Sequence, residues 1–263
     1  TALGMIEAAE REGKVTKDTI FVEASTGNQG IAVAMICAVK GYKCIICMAD
    51  HFGVERRKLM QAYGAQLILT PTFDDMEKTV WATREMAMEL ERENPNVIYL
   101  KQFDNWANPE THRRTTAAEI LTQVGNRLTA YVGTTGSGGT LSGIASLLKA
   151  ANPKIKIFGV EPYEAALEGC GRKGLHKQEG IGDAQLTKIL AREQIDEWLQ
   201  VTDEQAFTMS RRLALEEGIL CGISSGTAVH AAIEVAKRMD KEKVVLTLLP
   251  DTGERYLQTD LFG

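Results

Sequence analysis

Short apolar runs alternate with helix-period segments along the whole chain, and that alternation leaves few folds open. Phe21-Val-Glu-Ala gives way to small and polar residues and then to the helical pattern Ile31 to Lys40, which stops at Gly41. Strand Lys43 to Met48, helix Val54 to Tyr63, strand Gln66 to Leu69, helix Asp74 to Glu93 and strand Val97 to Leu100 repeat the scheme. Strands joined through helices run parallel, because the helical crossover returns the chain to the starting edge of the sheet. The expected fold is therefore α/β, with mostly parallel sheets. The second half continues with helix Pro109 to Val124, strand Leu128 to Val132, helix Thr140 to Ala150 and strand Lys156 to Val160. Helices Asp203 to Glu217 and Thr227 to Met239 and strand Val244 to Leu249 complete it. Glu161 to Leu186 is glycine-rich and aperiodic, a length at which structureless segments tend to carry function.

With 263 residues, 44% of them hydrophobic, the chain has enough apolar material for two three-layer α/β/α domains. Their boundary is expected near Asn105, giving 1–105 and 106–263. A net charge of -5 with mixed signs offers no basic stripe, which argues against a nucleic-acid partner. No apolar run is long enough to span a membrane and no signal-peptide pattern opens the chain, so a cytoplasmic protein with small soluble partners is expected. Five cysteines lack zinc spacing, His51, His112 and His230 read as structural, and no metal site is expected.

Two loops point to anion binding. Ser25-Thr-Gly-Asn-Gln-Gly30 lies between strand and helix, where backbone N–H groups and the helix N-terminus face one small space, and Ser25, Thr26, Asn28 and Gln29 add donors. Gly136-Ser137-Gly138-Gly139-Thr140 places three glycines and two hydroxyls in the same setting, so a phosphate can approach the backbone with no Cβ in the way. No Lys follows the glycines and G-x-G-x-x-G is absent, which makes ATP and NAD poor candidates. Plain glycine turns needed for close helix packing are the alternative reading of both. Ligands in open parallel sheets sit beyond the carboxyl ends of the strands, where both loops, Gly180-Ile-Gly182 and the Pro250 turn fall, so one shared cleft is expected.

Taken in order, these two loops, Gly180-Ile-Gly182, Gly222-Ile-Ser-Ser-Gly226 and Pro250-Asp-Thr-Gly-Glu-Arg-Tyr256 resemble the cysteine synthase and cystathionine β-synthase family. These are fold type II enzymes that use pyridoxal 5′-phosphate, and the likeness runs the length of the chain. The resemblance implies that Asn28 touches the cofactor's 3-oxygen and that Gly136 to Thr140 hold its phosphate. Ser25, Thr26, Gln29, Gln102 and Gly182 would bind the substrate. The family loop reads Thr-Ser-Gly-Asn-Thr-Gly, so Ser25 and Thr26 exchange two hydroxyl residues and Gln29 replaces a Thr by a longer amide. Thr252 stands where the family places the partner of the ring nitrogen. A neutral hydroxyl there leaves the nitrogen largely unprotonated and favours loss of a β-substituent over transamination. Asp251 beside it would argue the opposite if it reached that nitrogen, and capping of the Gly253 turn is the structural alternative for both.

The lysine that carries the cofactor in this family is expected upstream of Thr1, and no lysine within the chain is assigned that role. Asp183 departs from the family pattern after Gly182: it either activates water or caps a helix. The implied activity is β-replacement on a serine- or cysteine-type amino acid through an aminoacrylate, with sulfide or another thiol as co-substrate, in a homodimer. Two alternatives remain at this point. One is a β-eliminating lyase that turns cysteine and water into serine and hydrogen sulfide or deaminates serine; the other is an inactive binding or regulatory module.

Overall fold

The computed structural model describes residues 1–51, 53–182 and 187–263, and Asp183 lies outside them. The chain divides into two compact units, Thr1–Asn108 and Pro109–Gly263. In the first, α1 (Ala2–Arg11) precedes β1 (Ile20–Ala24), α2 (Asn28–Lys40), β2 (Lys43–Ala49), α3 (Val54–Ala62), β3 (Gln66–Thr70), α4 (Met76–Glu93) and β4 (Val97–Tyr99). The strands form one parallel sheet in the order β3-β2-β1-β4. Alternation along β1 and β2 decides its two faces. Phe21, Ile46 and Met48 pack with Met5, Ile6, Ala34 and Cys37 of the α1 and α2 layer. Val22, Ala24, Ile45 and Cys47 pack with Ala87 of α4 on the other side. Each of the larger side chains among them, such as Phe21, Ile46, Met48 and Val22, contributes about 1.5–3 kcal/mol on burial.

α5 (Ala107–Arg114) leads into the second unit, which continues with α6 (Thr116–Val124), β5 (Leu128–Thr134), α7 (Gly139–Ala151), β6 (Lys156–Pro162), α8 (Leu167–Cys170), β7 (Glu197–Val201), α9 (Asp203–Glu217), α10 (Ile223–Lys237) and β8 (Val244–Thr247). Its parallel sheet runs β7-β6-β5-β8. Ala130, Val132, Phe158 and Val160 face Ala206, Phe207, Ile223 and Ala231 of α9 and α10. Leu128, Tyr131 and Ile157 face Ala117, Ile120, Leu141 and Ile144 of α6 and α7. Among the described residues no helix is long and apolar enough to cross a membrane.

Four elements differ from the sequence expectation, the short helix α8 within the stretch read as structureless being the first. The single helix Pro109 to Val124 is two helices that meet at Thr115, whose backbone leaves helical geometry with φ -110° and ψ -80°. β7 is an additional edge strand; Glu197-Trp-Leu-Gln-Val is half-exposed along most of its length and so presents no apolar run. α10 begins at Ile223, so Gly222-Ile-Ser-Ser-Gly226 is a helix start. A Cβ on Gly226 would strike the Ala206 carbonyl oxygen and Ser210 Oγ, so this glycine lets α10 lie against α9.

Candidate active site

Unit 1 places its candidate residues where the strand order reverses. β1 and β4 are neighbours at the reversal, and ligands of open parallel sheets sit beyond the carboxyl ends of such a strand pair. The Ser25 loop leaves β1 and the Gln102 segment leaves β4. The buried Ser25 hydroxyl accepts the N–H groups of Gly27 at 3.3 Å and Gly30 at 3.0 Å, so it closes the loop onto the first turn of α2. That turn carries no acidic side chain, which leaves the positive end of the helix to an incoming anion. Thr26, Asn28 and Gln29 are half-buried around it. Gln102 Nε2 donates to the Ala24 carbonyl at 3.0 Å, so the structure brings Gln102 to the Ser25 loop. Lys101 before it has φ 59°, and Asn105 and Asn108 donate to the carbonyls of Leu100 and Gln102, both at 2.8 Å. A non-glycine residue in the left-handed region, held by two side-chain amides, fixes where Gln102 points.

Beneath this loop lies Glu23, fully buried in β1. Its Oε1 accepts the Ala24 N–H at 2.9 Å. Burial pushes its pKa up to about 8, against the pull of the Ala24 and Gln102 backbone, so the carboxyl is mostly protonated at neutral pH. The Gln29 amide is near enough to hold that shift back, yet neither Gln29 Nε2 nor Glu23 Oε2 has a partner at hydrogen-bond geometry.

Unit 2 repeats the placement. β5 and β8 flank its strand reversal, with Thr135 to Gly139 following β5 and the Pro250 turn following β8. Gly138 is the N-cap of α7 with φ +84°, and a Cβ there would lie 3.0 Å from Leu190 Cβ. Only glycine takes that conformation without strain. Ser137 Oγ accepts the Gly139 N–H at 3.4 Å, and Thr140 Oγ1 lies 3.2 Å from His112 Nε2. Gly182, also at positive φ, donates its N–H to the Thr135 carbonyl at 3.0 Å, which ties the Gly180 to Gly182 segment to the loop. Buried Gln178 holds the same segment: its amide donates to the Val201 carbonyl at 2.8 Å and accepts the Thr227 hydroxyl at 2.8 Å.

At the Pro250 turn, Thr252 is exposed and forms an isolated bridge with Cys221, and its hydroxyl bond to Glu254 holds that carboxyl below its usual range. Asp251 is buried; Tyr256 donates its phenol to Asp251 Oδ2 at 2.6 Å, and the other carboxyl oxygen packs against Gly222.

A family model described as "Pyridoxal-phosphate dependent enzyme" matches residues 1–251. The chain belongs to the pyridoxal-phosphate dependent enzyme family. It is 44% identical over 263 residues to a cysteine synthase of Staphylococcus aureus, covering all of this chain and 83% of that one. Among solved structures it is similar to a hydrogen sulfide-producing enzyme of Fusobacterium nucleatum, at 40% identity and TM-score 0.92, covering 97% of this chain and 85% of that one. It is also similar to an O-acetylserine dependent cystathionine β-synthase of Helicobacter pylori, at 34% identity and TM-score 0.94, covering 100% and 85%.

The residues present fit the cofactor of this pyridoxal-phosphate dependent family. The loop carries glycine at 136, 138 and 139, α7 has no side-chain cap, and the Thr135 and Thr187 hydroxyls are buried beside the loop without partners. Donors in that state are costly to bury unless a ligand meets them. Glu23, Thr135 and Thr187 are the residues that pattern reading passes over. For Glu23 a signal existed: an acid inside the apolar run Ile20 to Ala24 must be paired, protonated or functional.

Proposed function

We propose that the protein exchanges the β-substituent of a serine- or cysteine-type amino acid for sulfide or another thiol. Pyridoxal 5′-phosphate supplies the electron sink that lets the substrate lose its α-proton and then its β-substituent. In this reading the Gly136 to Thr140 backbone and the Ser137 and Thr140 hydroxyls hold the phosphate, and Asn28 holds the ring oxygen. The α2 N-terminus with Thr26, Gln29 and Gln102 receives the substrate carboxylate, while Ser25, engaged with two backbone N–H groups, shapes the loop. Gly182, tied by its N–H to the Thr135 carbonyl, contributes backbone to the substrate side of the loop.

The observation that carries the β-chemistry is the division of labour at the Pro250 turn. Tyr256 and the close pack against Gly222 commit Asp251 to the interior, and Thr252 is left as the exposed group of the pair. With the cofactor bound, a neutral hydroxyl at Thr252 would serve as the partner of the ring nitrogen without protonating it, which would favour loss of the β-substituent. The test is a product analysis of the loaded protein given O-acetylserine with sulfide or a thiol. A new Cβ–S bond in the amino-acid product is expected, and formation of pyruvate alone would overturn the reading.

Cysteine breakdown is the finer alternative, supported by the likeness to the sulfide-producing enzyme. It assigns Asp183 as the base that activates water, and Asp183→Asn is then expected to abolish serine formation from cysteine. Equal serine formation in parent and variant would return Asp183 to a capping role. A homodimer is part of the proposal and is checked by sedimentation.

A further inference from the structure

α5 and α7 approach so closely that position 143 has room for glycine alone: a Cβ there would strike the Pro109 carbonyl oxygen and His112 Cβ. That contact lays His112 beside Thr140, one turn earlier on α7. The imidazole bridges two hydroxyls, with Nδ1 3.0 Å from Thr116 Oγ1 and Nε2 3.2 Å from Thr140 Oγ1. Thr116 opens α6, so the break between α5 and α6 at Thr115 turns this hydroxyl back onto the ring. Burial pushes the His112 pKa down to about 4, so the ring is neutral and carries a single N–H.

A neutral imidazole has one donor and one acceptor, and the hydroxyl at each end must take the complementary role. If Nε2 accepts, the Thr140 proton is spent on the ring and its lone pairs face the glycine loop. If Nε2–H donates, Thr140 Oγ1 is satisfied from behind and its proton points forward. A phosphate offers only acceptors, so the forward proton is the productive one. We propose that His112 is a positioning residue for the phosphate loop, held as the Nε2–H tautomer by the Thr116 hydroxyl, so that Thr140 presents its proton to the phosphate of the cofactor. The direction of the chain is then Thr116 O–H to Nδ1, Nε2–H to Thr140 Oγ1, and Thr140 O–H to phosphate. This rests on the assignment of the phosphate to Gly136 to Thr140.

The tautomer is readable in the unaltered protein. With ¹⁵N-histidine, the loaded full chain has four histidines to assign, and loss of one signal set in His112→Gln identifies the ring. Protonated Nε2 and bare Nδ1 are expected, and the reverse pattern overturns the proposal. Three variants supply the second arm, read as pyridoxal-phosphate affinity by absorbance titration and as the ³¹P shift of the bound phosphate. His112→Leu removes the donor and is expected to weaken binding about tenfold with a moved ³¹P line. His112→Gln restores an amide donor at the Nε2 place and is expected to return both towards the parent. Equal behaviour of Leu and Gln overturns the proposal, and so does a Thr140→Val protein that is weakened while His112→Leu is not. A Thr140→Val protein that binds as the parent removes the phosphate assignment itself, and the relay with it. Should the Leu variant fail to fold, the tautomer measurement still decides.

Discussion

The two units carry the same strand order, β3-β2-β1-β4 in one and β7-β6-β5-β8 in the other, yet they finish the loop at the reversal by different means. Unit 1 uses side chains: Ser25 closes the turn, Gln102 reaches back to it and Glu23 lies buried beneath. Unit 2 relies more on backbone: Gly138, the N-cap of α7, takes a left-handed conformation against Leu190, with the Ser137 and Thr140 hydroxyls on either side of it in the chain. The contrast suits the two tasks. A phosphate is the same in every turnover and is best met by fixed dipoles, whereas an amino-acid carboxylate must be admitted and released, which exchangeable side-chain donors allow.

The largest effect expected from this contrast falls on Glu23. Its carboxyl keeps its proton in the folded protein up to about 8, whereas the unfolded chain releases it near 4.5, so its contribution to stability is fully present below 4.5 and is lost as pH rises through about 8. Relative to Glu23→Gln, parent stability is expected to fall by up to about 1.4 kcal/mol per pH unit across that window. Calorimetry of both proteins over the range checks this, and parallel curves would mean that the buried acid is not protonated. Next comes Gly138→Val. Strain of about 1–2 kcal/mol at positive φ, added to a lost charge-assisted bond, is expected to weaken pyridoxal-phosphate binding roughly a hundredfold. Unchanged affinity would place the phosphate elsewhere.

Gln102→Ala sharpens the division between the units. An approximately tenfold rise in KM for the amino acid with unaltered cofactor affinity is expected. A loss of cofactor instead would show that unit 1 also anchors the cofactor. Smallest is Thr252→Ser, which keeps the neutral hydroxyl and is expected to change turnover by no more than about twofold, while Thr252→Asp protonates the ring nitrogen and slows β-elimination. Turnover indistinguishable among the three would detach position 252 from the ring.

What could be read from the sequence follows the same division. Backbone devices announce themselves, because glycines between a strand pattern and a helix pattern mark a tight turn, and the strand, loop and helix around Gly136 to Thr140 were legible on that ground. Side-chain devices were half legible. Ser25 was visible as a hydroxyl at a helix start, but not its commitment to Gly27 and Gly30, since the choice between ligand and cap depends on loop geometry. Glu23 and His112 look ordinary in sequence; their meaning comes from what lies against them, Gln29 in one case and Thr140 in the other. β7 escaped because an edge strand exposes half its side chains, and the Thr115 break escaped because a departure of one residue's backbone leaves the apolar period running on.

β4 pairs with β1 through Val97, Ile98 and Tyr99 alone, while β1 is paired to β2 over five residues. In the language of amide exchange, the shorter ladder is expected to open at a lower free energy than the longer one, so deuterium is expected to reach the amides of β4 before those of β2, while the left-handed Lys101 and the two asparagine amides keep the Gln102 segment in place between openings.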